Sequence, residues 1–170
     1  MNELRVMAID AGAVDRAPEA ALRVVAESGA DVVAVTGAPR YLRWRSKRAK
    51  IARQLGLVVT TADRVGGMFV ATTLRVDIKD TSFHTSSSSA GTSPAVIGVT
   101  FNVRGGAWRL IVAATGGAAD FPANEIPAVI VGGVGGPGAI TVDRTVTVQS
   151  CGPVEASGLA VAPTLAVLHR

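Results

Sequence analysis

Short apolar runs separated by glycine-containing breaks make up most of the chain and predict an α/β protein. Residues 4–9 form a short, mostly apolar run with strand character, and residues 32–35 form a continuous apolar run, as found in strands that are buried on both faces. Between them, residues 17–28 predict a helix with Pro18 in its first turn and Gly29 at its end. The apolar positions of this helix share one face, and they are Ala21, Leu22, Val25 and Ala26. The β-α-β order predicts two parallel strands with a right-handed crossover.

After this unit the pattern predicts one further helix and then almost only strands. The second helix covers residues 41–55, has a narrow apolar side and ends at Gly56. The predicted strands are residues 57–61, 68–74, 96–103, 108–114, 128–131, 140–149 and 165–168. Apolar and polar positions alternate along residues 140–149, which predicts one strand with a buried and a solvated face. Residues 85–93 have the Ser, Thr and Gly content of an exposed loop.

The composition favours one folded domain over residues 1–170. A chain of 170 residues of which 48% are hydrophobic can bury a large core, which excludes global disorder. Charged residues make up only 18% of the chain, so we expect some exposed surface to meet a partner. The lone Cys151 rules out an internal disulfide and is expected to be a small, half-buried residue.

The sequence carries no pattern of a membrane or export segment. Residues 1–5 lack a basic stretch followed by an apolar run, so no signal peptide is expected. No apolar run reaches ~18 residues without Gly, Pro or a charge, so neither a transmembrane helix nor a membrane partner is expected. We therefore expect a cytoplasmic protein, or one within a particle that assembles inside the cell.

The positive charge is concentrated in one segment, residues 40–53. The formal net charge is +4, and this segment alone carries seven basic residues and no acid, so the remainder of the chain carries −3. Nucleic-acid binding through this segment is one hypothesis, and a solvated helix face is the plainer one. The candidate phosphate or nucleic-acid contacts are Arg43, Arg45, Lys47 and Arg48.

Six segments, in order along nearly the whole chain, carry the motif pattern of one protein family. LRVMAIDAGAVDR resembles LRVxTWNxxG, and ADVVAVTGAPRYLRWRSKRAKIARQLGL resembles ADVVALQEAPRxLRWRSRxAxLARxLGL. GGMFVAT, WRLIVAATGGA and AVIVGGVGGPG resemble the strands that carry GNAxL, THL and GDFN. ITVDRTVTVQSCGPVEASGLAVAPTLAVL resembles the terminal region with its SDH motif. In these segments the chain resembles the endonuclease/exonuclease/phosphatase superfamily, in an actinobacterial form.

The resemblance implies metal-assisted phosphoester hydrolysis. In that chemistry an Asn and a Glu hold a divalent ion, an Asp-x-Asn pair activates the nucleophile, and histidines stabilise the phosphate. The Asn position falls on Asp10, which keeps a ligating group. The other positions lack one: Gly37 for the Glu, Gly116 for the His of THL, Val134 and Gly136 for GDFN, and Ala160 and Val161 for the terminal Asp-His pair. These losses predict a catalytically inactive protein, with no metal site and no cofactor.

The resemblance also implies the fold, a two-sheet β-sandwich with helices outside the sheets. The segments after THL and GDFN are too short here for further helices. We therefore expect a reduced αββα fold, with helices mainly on one outer face and with residues 17–28 and 41–55 packed on the same sheet. An uncovered second sheet predicts self-association or a protein partner, as in a structural component of a larger assembly such as a viral particle. The alternatives are a divergent Mg-dependent phosphoesterase or nuclease that uses Asp10, and a nucleic-acid-binding module.

Other groups that can carry chemistry have plainer explanations. A repositioned metal site would combine Asp10 with groups that we expect to be solvated or structural, namely Asp120, Glu125, Asp143 and His84. The glycine-rich residues 132–138 lack the Lys-Ser/Thr of a phosphate-binding loop and match the turn of GDFN better. His169 is expected to be mobile near the end of the chain.

Overall fold

A computed structural model describes residues 3–39, 42–60, 67–85, 95–113, 126, 128–132, 139–142, 146–155 and 158–169. Within these residues the chain forms three helices and eleven strands. The helices are α1 (Ala11–Arg16), α2 (Pro18–Ser28) and α3 (Trp44–Gln54). The strands are β1 (Glu3–Asp10), β2 (Val32–Thr36), β3 (Val58–Val59), β4 (Phe69–Thr72), β5 (Asp77–Thr85), β6 (Ala95–Val103), β7 (Gly106–Ala113), β8 (Ala128–Gly132), β9 (Ile140–Val142), β10 (Thr147–Pro153) and β11 (Thr164–His169).

The strands form two sheets with a shared core. The first sheet has the order β10-β11-β1-β2-β4-β3, and the second has the order β5-β6-β7-β8-β9. Strands β1 and β2 are parallel, as predicted, and Asp10 lies opposite Thr36 at their carboxyl ends. Strand β11 pairs antiparallel with β1 on its other side. The predicted two-sheet α/β sandwich is confirmed.

Alternation along the strands separates the core into two layers. In β1, Val6 packs against the second sheet, whereas Met7 packs against the helices. Trp108 and Phe101 of the second sheet are fully buried in the layer between the sheets. Burial of each such large apolar side chain contributes about 1.5–3 kcal/mol to folding.

The three helices pack on the outer face of the first sheet. Val25 of α2, Ile51 of α3 and Phe69 of β4 belong to one buried cluster there. Helix α2 has Pro18 in its first turn and is closed by Gly29 in the left-handed conformation (φ 61°). The prediction that both helices pack on the same sheet is confirmed, although α3 begins three residues later than predicted. No helix in the described part of the chain is long and apolar enough to cross a membrane.

Several local predictions are wrong. Residues 11–13 were interpreted as a break after the first strand, but they form the first turn of α1. Asp10 caps this turn, and Gly12 does not prevent it. Residues 140–149 form parts of two strands, since β9 pairs with β8 and β10 pairs with β11 in the other sheet. Alternating polarity indicates a strand but does not say which sheet it joins.

Two further features differ from the predictions. Strand β5 was not predicted, and Cys151 is exposed in β10 rather than half-buried. Apart from the final residue of β5, the predicted loop at residues 85–93 lies outside the described residues.

The outer face of the second sheet carries a small apolar cluster. Val96, Ile111 and Ala113 are buried there, and Ile130 packs against them. Val129 and Val131, the neighbours of Ile130 in β8, face the other way, into the core between the sheets. Self-association or a protein partner at this face stays a prediction, and solution mass by light scattering tests it.

A two-residue turn between β6 and β7 ties the two sheets together. Val103 pairs with Gly106, so Arg104 (φ 50°) and Gly105 (φ 80°) form the centre of a turn of type I′ geometry. The Arg104 guanidinium donates to Glu3 Oε1 at 2.9 Å and to Asp31 Oδ1 at 3.2 Å. These ion pairs join the second sheet to the first, and they offset the strain of a non-glycine residue with positive φ.

Candidate functional site

A pocket of about 290 Å³ opens at the carboxyl ends of β1 and β2. In α/β proteins, ligands commonly bind at this end of parallel strands, where the chain turns away and side chains converge. The lining residues are Ala8, Ile9, Asp10, Thr36, Val161, Ala162 and Thr164. We call this cavity the Asp10 pocket, because Asp10 is the one acidic residue among its described lining residues.

Asp10 is held by the backbone that follows it. Its Oδ1 accepts a hydrogen bond of 2.9 Å from the backbone N–H of Ala13, which caps α1. Its Oδ2 lies next to Gly37, so close that a Cβ atom on Gly37 would be only 2.6 Å from this oxygen. Gly37 has φ 64°, so its backbone also favours glycine. The carboxylate therefore occupies space that any other residue at position 37 would fill.

A cation lies beside this carboxylate on the α1 side. The position of a Cβ atom on Gly12 would be 3.0 Å from Asp10 Oδ1 and 3.6 Å from Arg16 Nη1. Because Gly12 has no side chain, the Asp10 carboxylate and the Arg16 guanidinium both lie close to it. Arg16 is exposed and forms no ion pair within the described residues. It can therefore donate to an oxyanion without giving up a protein partner.

The opposite side of the pocket is apolar and carries hydroxyl groups. The terminal Asp-His pair of the family was aligned to Ala160 and Val161, and both residues are exposed here. Val161 lines the pocket together with Thr164, and Thr36 Oγ1 donates to the carbonyl oxygen of Ile9 at 3.5 Å. The described pocket therefore offers one carboxylate and two hydroxyl groups.

These residues fit a divalent cation only if the ligand completes its coordination. No cluster of three or more His, Cys, Asp or Glu side chains that could hold a metal exists among the described residues. Mg²⁺, however, is commonly held by one or two carboxylates, several waters and the substrate phosphate. Asp10 Oδ2 donates no hydrogen and accepts none from a described residue, so it is the oxygen suited to such an ion. The donor set fits a cation shared with a phosphate and does not fit a cage built by the protein alone.

The structure divides the predicted basic contacts into two groups. Arg43, Arg45 and Lys47 are exposed. Arg48 is only 2% exposed, with its guanidinium 4.9 Å from the ring centroid of Trp44 and 5.8 Å from that of Phe69. The expectation of a solvated face is therefore wrong for Arg48, because stacking on aromatic rings holds this cation inside the helix layer. The other three remain candidate contacts.

Helix α3 carries its basic face close to the helix that follows Asp10. Lys50 Nζ lies 3.5 Å from Asp15 Oδ1, and Asp15 directly precedes Arg16 on α1. Both side chains are more than half exposed, so this pair adds little stability. It does place the positive segment beside α1.

Several predicted positions lie outside the described residues. They are Gly116, Asp120, Glu125, Val134, Gly136 and Asp143. The glycine-rich residues 132–138 are described only at Gly132, and the side chain of His84 is outside the description. His169, expected to be mobile, is the last residue of β11, and its Nε2 hydrogen-bonds to Gln149 Oε1.

Sequence reasoning missed Arg16, Thr36 and Thr164. Arg16 follows Gly12 by four residues, a spacing that places both on one helical face, but α1 was not predicted. Thr36 ends a strand whose register with β1 is visible only in the sheet. Asp10 was correctly placed at the end of β1, although its role as the cap of α1 was not.

No protein-family model matches the chain, and no curated protein matches it in sequence. Solved structures match it over nearly its whole length at low identity. An endonuclease/exonuclease/phosphatase family protein from Bacteroides thetaiotaomicron matches with TM-score 0.70 and 10% identity, over 98% of this chain and 97% of that one. The mannosyl-6-phosphatase of the same organism gives 0.71 and 10%, over 98% and 100%. The human nocturnin catalytic domain with bound sulfate gives 0.65 and 10%, over 98% and 93%.

These matches confirm the resemblance at the level of the fold, which is that of the endonuclease/exonuclease/phosphatase superfamily. The prediction that the chain is not an enzyme is contradicted, because the structures that share this fold include a mannosyl-6-phosphatase and a nocturnin catalytic domain. The prediction was based on aligned positions without ligating groups. Three of those positions lie outside the described residues, and at Gly37 the space is occupied by the carboxylate of Asp10.

Proposed function

We propose that the protein is a divergent, divalent-metal-dependent phosphoesterase whose reaction centre is the Asp10 pocket. The observation that carries the proposal is the placement of Asp10 Oδ2 over Gly37, at the carboxyl end of the parallel pair β1–β2. A carboxylate held by a backbone N–H, next to a cavity of about 290 Å³, is suited to a hard cation and a phosphate group.

The exchange of residues at positions 10 and 37 supports this proposal. The family resemblance places Asn at position 10 and the metal-binding Glu at position 37. Here the carboxylate belongs to position 10, and position 37 has no side chain that would exclude it. The carboxylate is therefore at the end of β1 here, whereas the resemblance places it after β2, at the same end of the sheet. This is a relocation of the carboxylate rather than its loss.

The neighbouring residues provide the remaining functions of such a site. A bound divalent cation would supply Lewis-acid polarisation of the phosphate. Asp10 holds that charge, and Arg16 donates to a phosphate oxygen beside Gly12. Thr36 and Thr164 offer hydroxyl groups to the same cavity. Val161, which is 50% exposed, adds apolar surface to the same cavity.

The exposed cations of α3 favour a polyanionic substrate, such as a nucleic acid strand, over a small phosphomonoester. Arg43, Arg45 and Lys47 are exposed on the element next to α1. A run of phosphates that reaches from the pocket across α3 would meet these cations in turn, with binding that weakens as salt rises. The D. rerio TDP2 structure, which has a similar fold at 9% identity, is a complex with a single-strand DNA product.

The decisive experiment measures Mn²⁺ binding by EPR with inorganic phosphate present to complete the coordination, and hydrolysis of two substrates, a single-stranded oligonucleotide and p-nitrophenyl phosphate. Asp10→Asn keeps the size and the capping ability of the residue but removes the charge. We expect Asp10→Asn to abolish Mn²⁺ binding and to lower hydrolysis by orders of magnitude. Asp15→Asn is the matched control, because Asp15 is an exposed acid on α1 outside the pocket.

Two results would overturn the proposal. One is a wild-type protein that hydrolyses neither substrate with Mg²⁺ or Mn²⁺. The other is activity that survives Asp10→Asn. The substrate preference is tested separately by replacing Arg43, Arg45 and Lys47 with Gln, which should weaken oligonucleotide cleavage and leave p-nitrophenyl phosphate unaffected.

A further inference from the structure

A second concave site lies at the opposite end of the β1–β2 pair. Arg5 and Asp31 line it, directly before the register pair of Val6 and Val32, whereas Asp10 lies five residues beyond Arg5 along β1. At a rise of about 3.3 Å per residue, Arg5 and Asp10 are roughly 17 Å apart along the strand. The second site encloses about 540 Å³, a size typical of small-molecule sites. We call it the Arg75 groove.

One wall of the Arg75 groove is apolar. It includes Leu22 of α2 and Leu57, which follows α3. Leu22 is 43% exposed, so a large aliphatic side chain meets water inside a concave surface. Covering such a side chain with the hydrocarbon part of a ligand is favourable, because it removes apolar area from water.

The opposite rim is cationic, with Arg5, Arg75 and Arg104. Arg5 Nε donates to Glu3 Oε1 at 2.7 Å, and Arg104 bridges Glu3 and Asp31, so these two cations are balanced by two carboxylates. Arg75 is exposed and forms no ion pair within the described residues. The groove therefore carries one net positive charge, located at Arg75.

A polar group with no described partner also lines the groove. The Oγ1 atom of Thr73 is buried from solvent and has no hydrogen-bond partner among the described residues. Buried hydroxyl groups are normally hydrogen-bonded, and because this oxygen has almost no accessible surface, a ligand in the groove reaches it only after the Thr73 side chain rotates. The backbone N–H of Thr73 donates to the carbonyl oxygen of Asp31, which fixes the position of this residue.

We propose that the Arg75 groove binds a small organic anion. Its head group, a carboxylate or a phosphate-type oxyanion, pairs with Arg75. Its alkyl or aromatic body covers Leu22 and Leu57. The guanidinium fork matches both kinds of oxyanion, and the apolar wall selects against inorganic anions. This site is independent of the Asp10 pocket and of the proposed hydrolysis.

The test uses the full chain after EDTA treatment and dialysis into metal-free buffer without chelator, which leaves no cation in the Asp10 pocket and no competing carboxylate. The probes are hexylphosphonate and octanoate, with hexanol, hexylamine and inorganic phosphate for comparison. Backbone amide shifts are followed by NMR at Gly29, Gly56 and Thr73 in the groove, and at Gly37, which lies beside Asp10. We expect saturable shifts at the three groove amides with the two organic anions, at least five-fold tighter than with any comparison probe, and no shift at Gly37.

Four variants separate the two parts of the site. Arg75→Gln should weaken anion binding about five-fold or more, and Leu22→Asn about three-fold. Arg23→Gln is the matched control, because Arg23 is an exposed arginine next to Leu22 that does not line the groove. Asp31→Asn should tighten anion binding, since it removes the carboxylate that holds Arg104.

The outcomes decide between ligand classes. A preference for octanoate over hexylphosphonate assigns a carboxylate head group, and the reverse assigns a phosphate-type one. Tighter binding of hexylamine, or weaker anion binding in Asp31→Asn, would overturn the proposal in favour of a cation site. Equal effects of Arg75→Gln and Arg23→Gln would overturn it as well, and so would the absence of any shift at the groove amides.

Discussion

Asp10 and Gly37 are coupled through space, because Oδ2 of Asp10 lies 2.6 Å from the position of a Cβ atom on Gly37. Real Cβ atoms do not approach an oxygen that closely. The carboxylate can stay in place only while position 37 is glycine. The two residues belong to the ends of different strands, β1 and the turn after β2, so the coupling depends on the parallel register that sets Asp10 opposite Thr36.

The first prediction follows directly from this contact. Gly37→Ala should destabilise the fold by about 2–3 kcal/mol, from backbone strain of about 1–2 kcal/mol and a displaced helix cap of about 1 kcal/mol. It should also weaken Mn²⁺ binding. Gly105→Ala is the control, since Gly105 has φ 80° but nothing within 4 Å of an added Cβ atom. Urea unfolding should show only the strain in Gly105→Ala. Equal losses in the two variants would contradict the proposed contact.

The second prediction separates the two roles of Asp10. Asn and Asp are similar helix caps, whereas Ala removes the acceptor for the Ala13 N–H. Asp10→Ala should therefore lower the free energy of unfolding by about 1 kcal/mol, and Asp10→Asn should leave it nearly unchanged. Both variants should lose Mn²⁺ binding. Thermal unfolding of the two proteins side by side measures the difference, and a loss of stability in Asp10→Asn as large as in Asp10→Ala would refute the capping role.

The apolar pattern predicted the elements of the first sheet because burial on both faces leaves a continuous run. Val6 and Val33 lie in such runs and are fully buried, one towards the second sheet and the other towards the helices. Residues 140–149 show the limit of this reasoning. Their alternation is the same whether the strand continues or crosses to another sheet, so β9 and β10 were predicted as one element.

The candidate site was only partly predictable for a related reason. Asp10 could be placed from the sequence because it directly follows an apolar strand. The partner of its carboxylate is a missing side chain at Gly37, and only the three-dimensional structure shows what fills that space. Arg48 was predicted from charge alone, and charge does not reveal that Trp44 and Phe69 surround the guanidinium. Side chains that act through neighbours on other elements leave no local pattern.

The third prediction concerns the turn at Arg104. Type I′ turns favour Asn-Gly, so Arg104→Asn relieves strain of about 1 kcal/mol while it removes the ion pairs to Glu3 and Asp31. Arg104→Ala removes the ion pairs and keeps the strain. We expect Arg104→Ala to cost about 1–2 kcal/mol and Arg104→Asn to be about 1 kcal/mol better than Arg104→Ala. Urea unfolding at low and high salt checks this, since wild type should lose more stability with salt than either variant. If the two variants are equally stable, backbone strain at position 104 makes no measurable contribution and only the ion pairs of Arg104 affect stability.

The last prediction is a pH dependence with opposite signs at two neighbouring carboxylates. Burial raises the pKa of Asp31 above its ordinary value of 3.8, despite the hydrogen bond from the Arg5 N–H and the charge of Arg104. Hydrogen bonds from Arg5 and Arg104 lower the pKa of Glu3 below 4.5. The folded state thus binds the Asp31 proton more tightly than the unfolded state, and this term lowers stability as pH rises from 3.8 through the folded pKa. The lowered pKa of Glu3 adds stability above pH 4.5, and this stability is lost as pH falls through the folded pKa.

Asp31→Asn should therefore gain stability relative to wild type as pH rises through this window. It should be at least as stable as wild type at neutral pH, with Arg104 still paired to Glu3. Glu3→Gln should lose stability relative to wild type over the same rise. Urea unfolding of the three proteins from acidic to neutral pH measures both differences, and a stability difference between Asp31→Asn and wild type that stays constant with pH would contradict the burial of this charge.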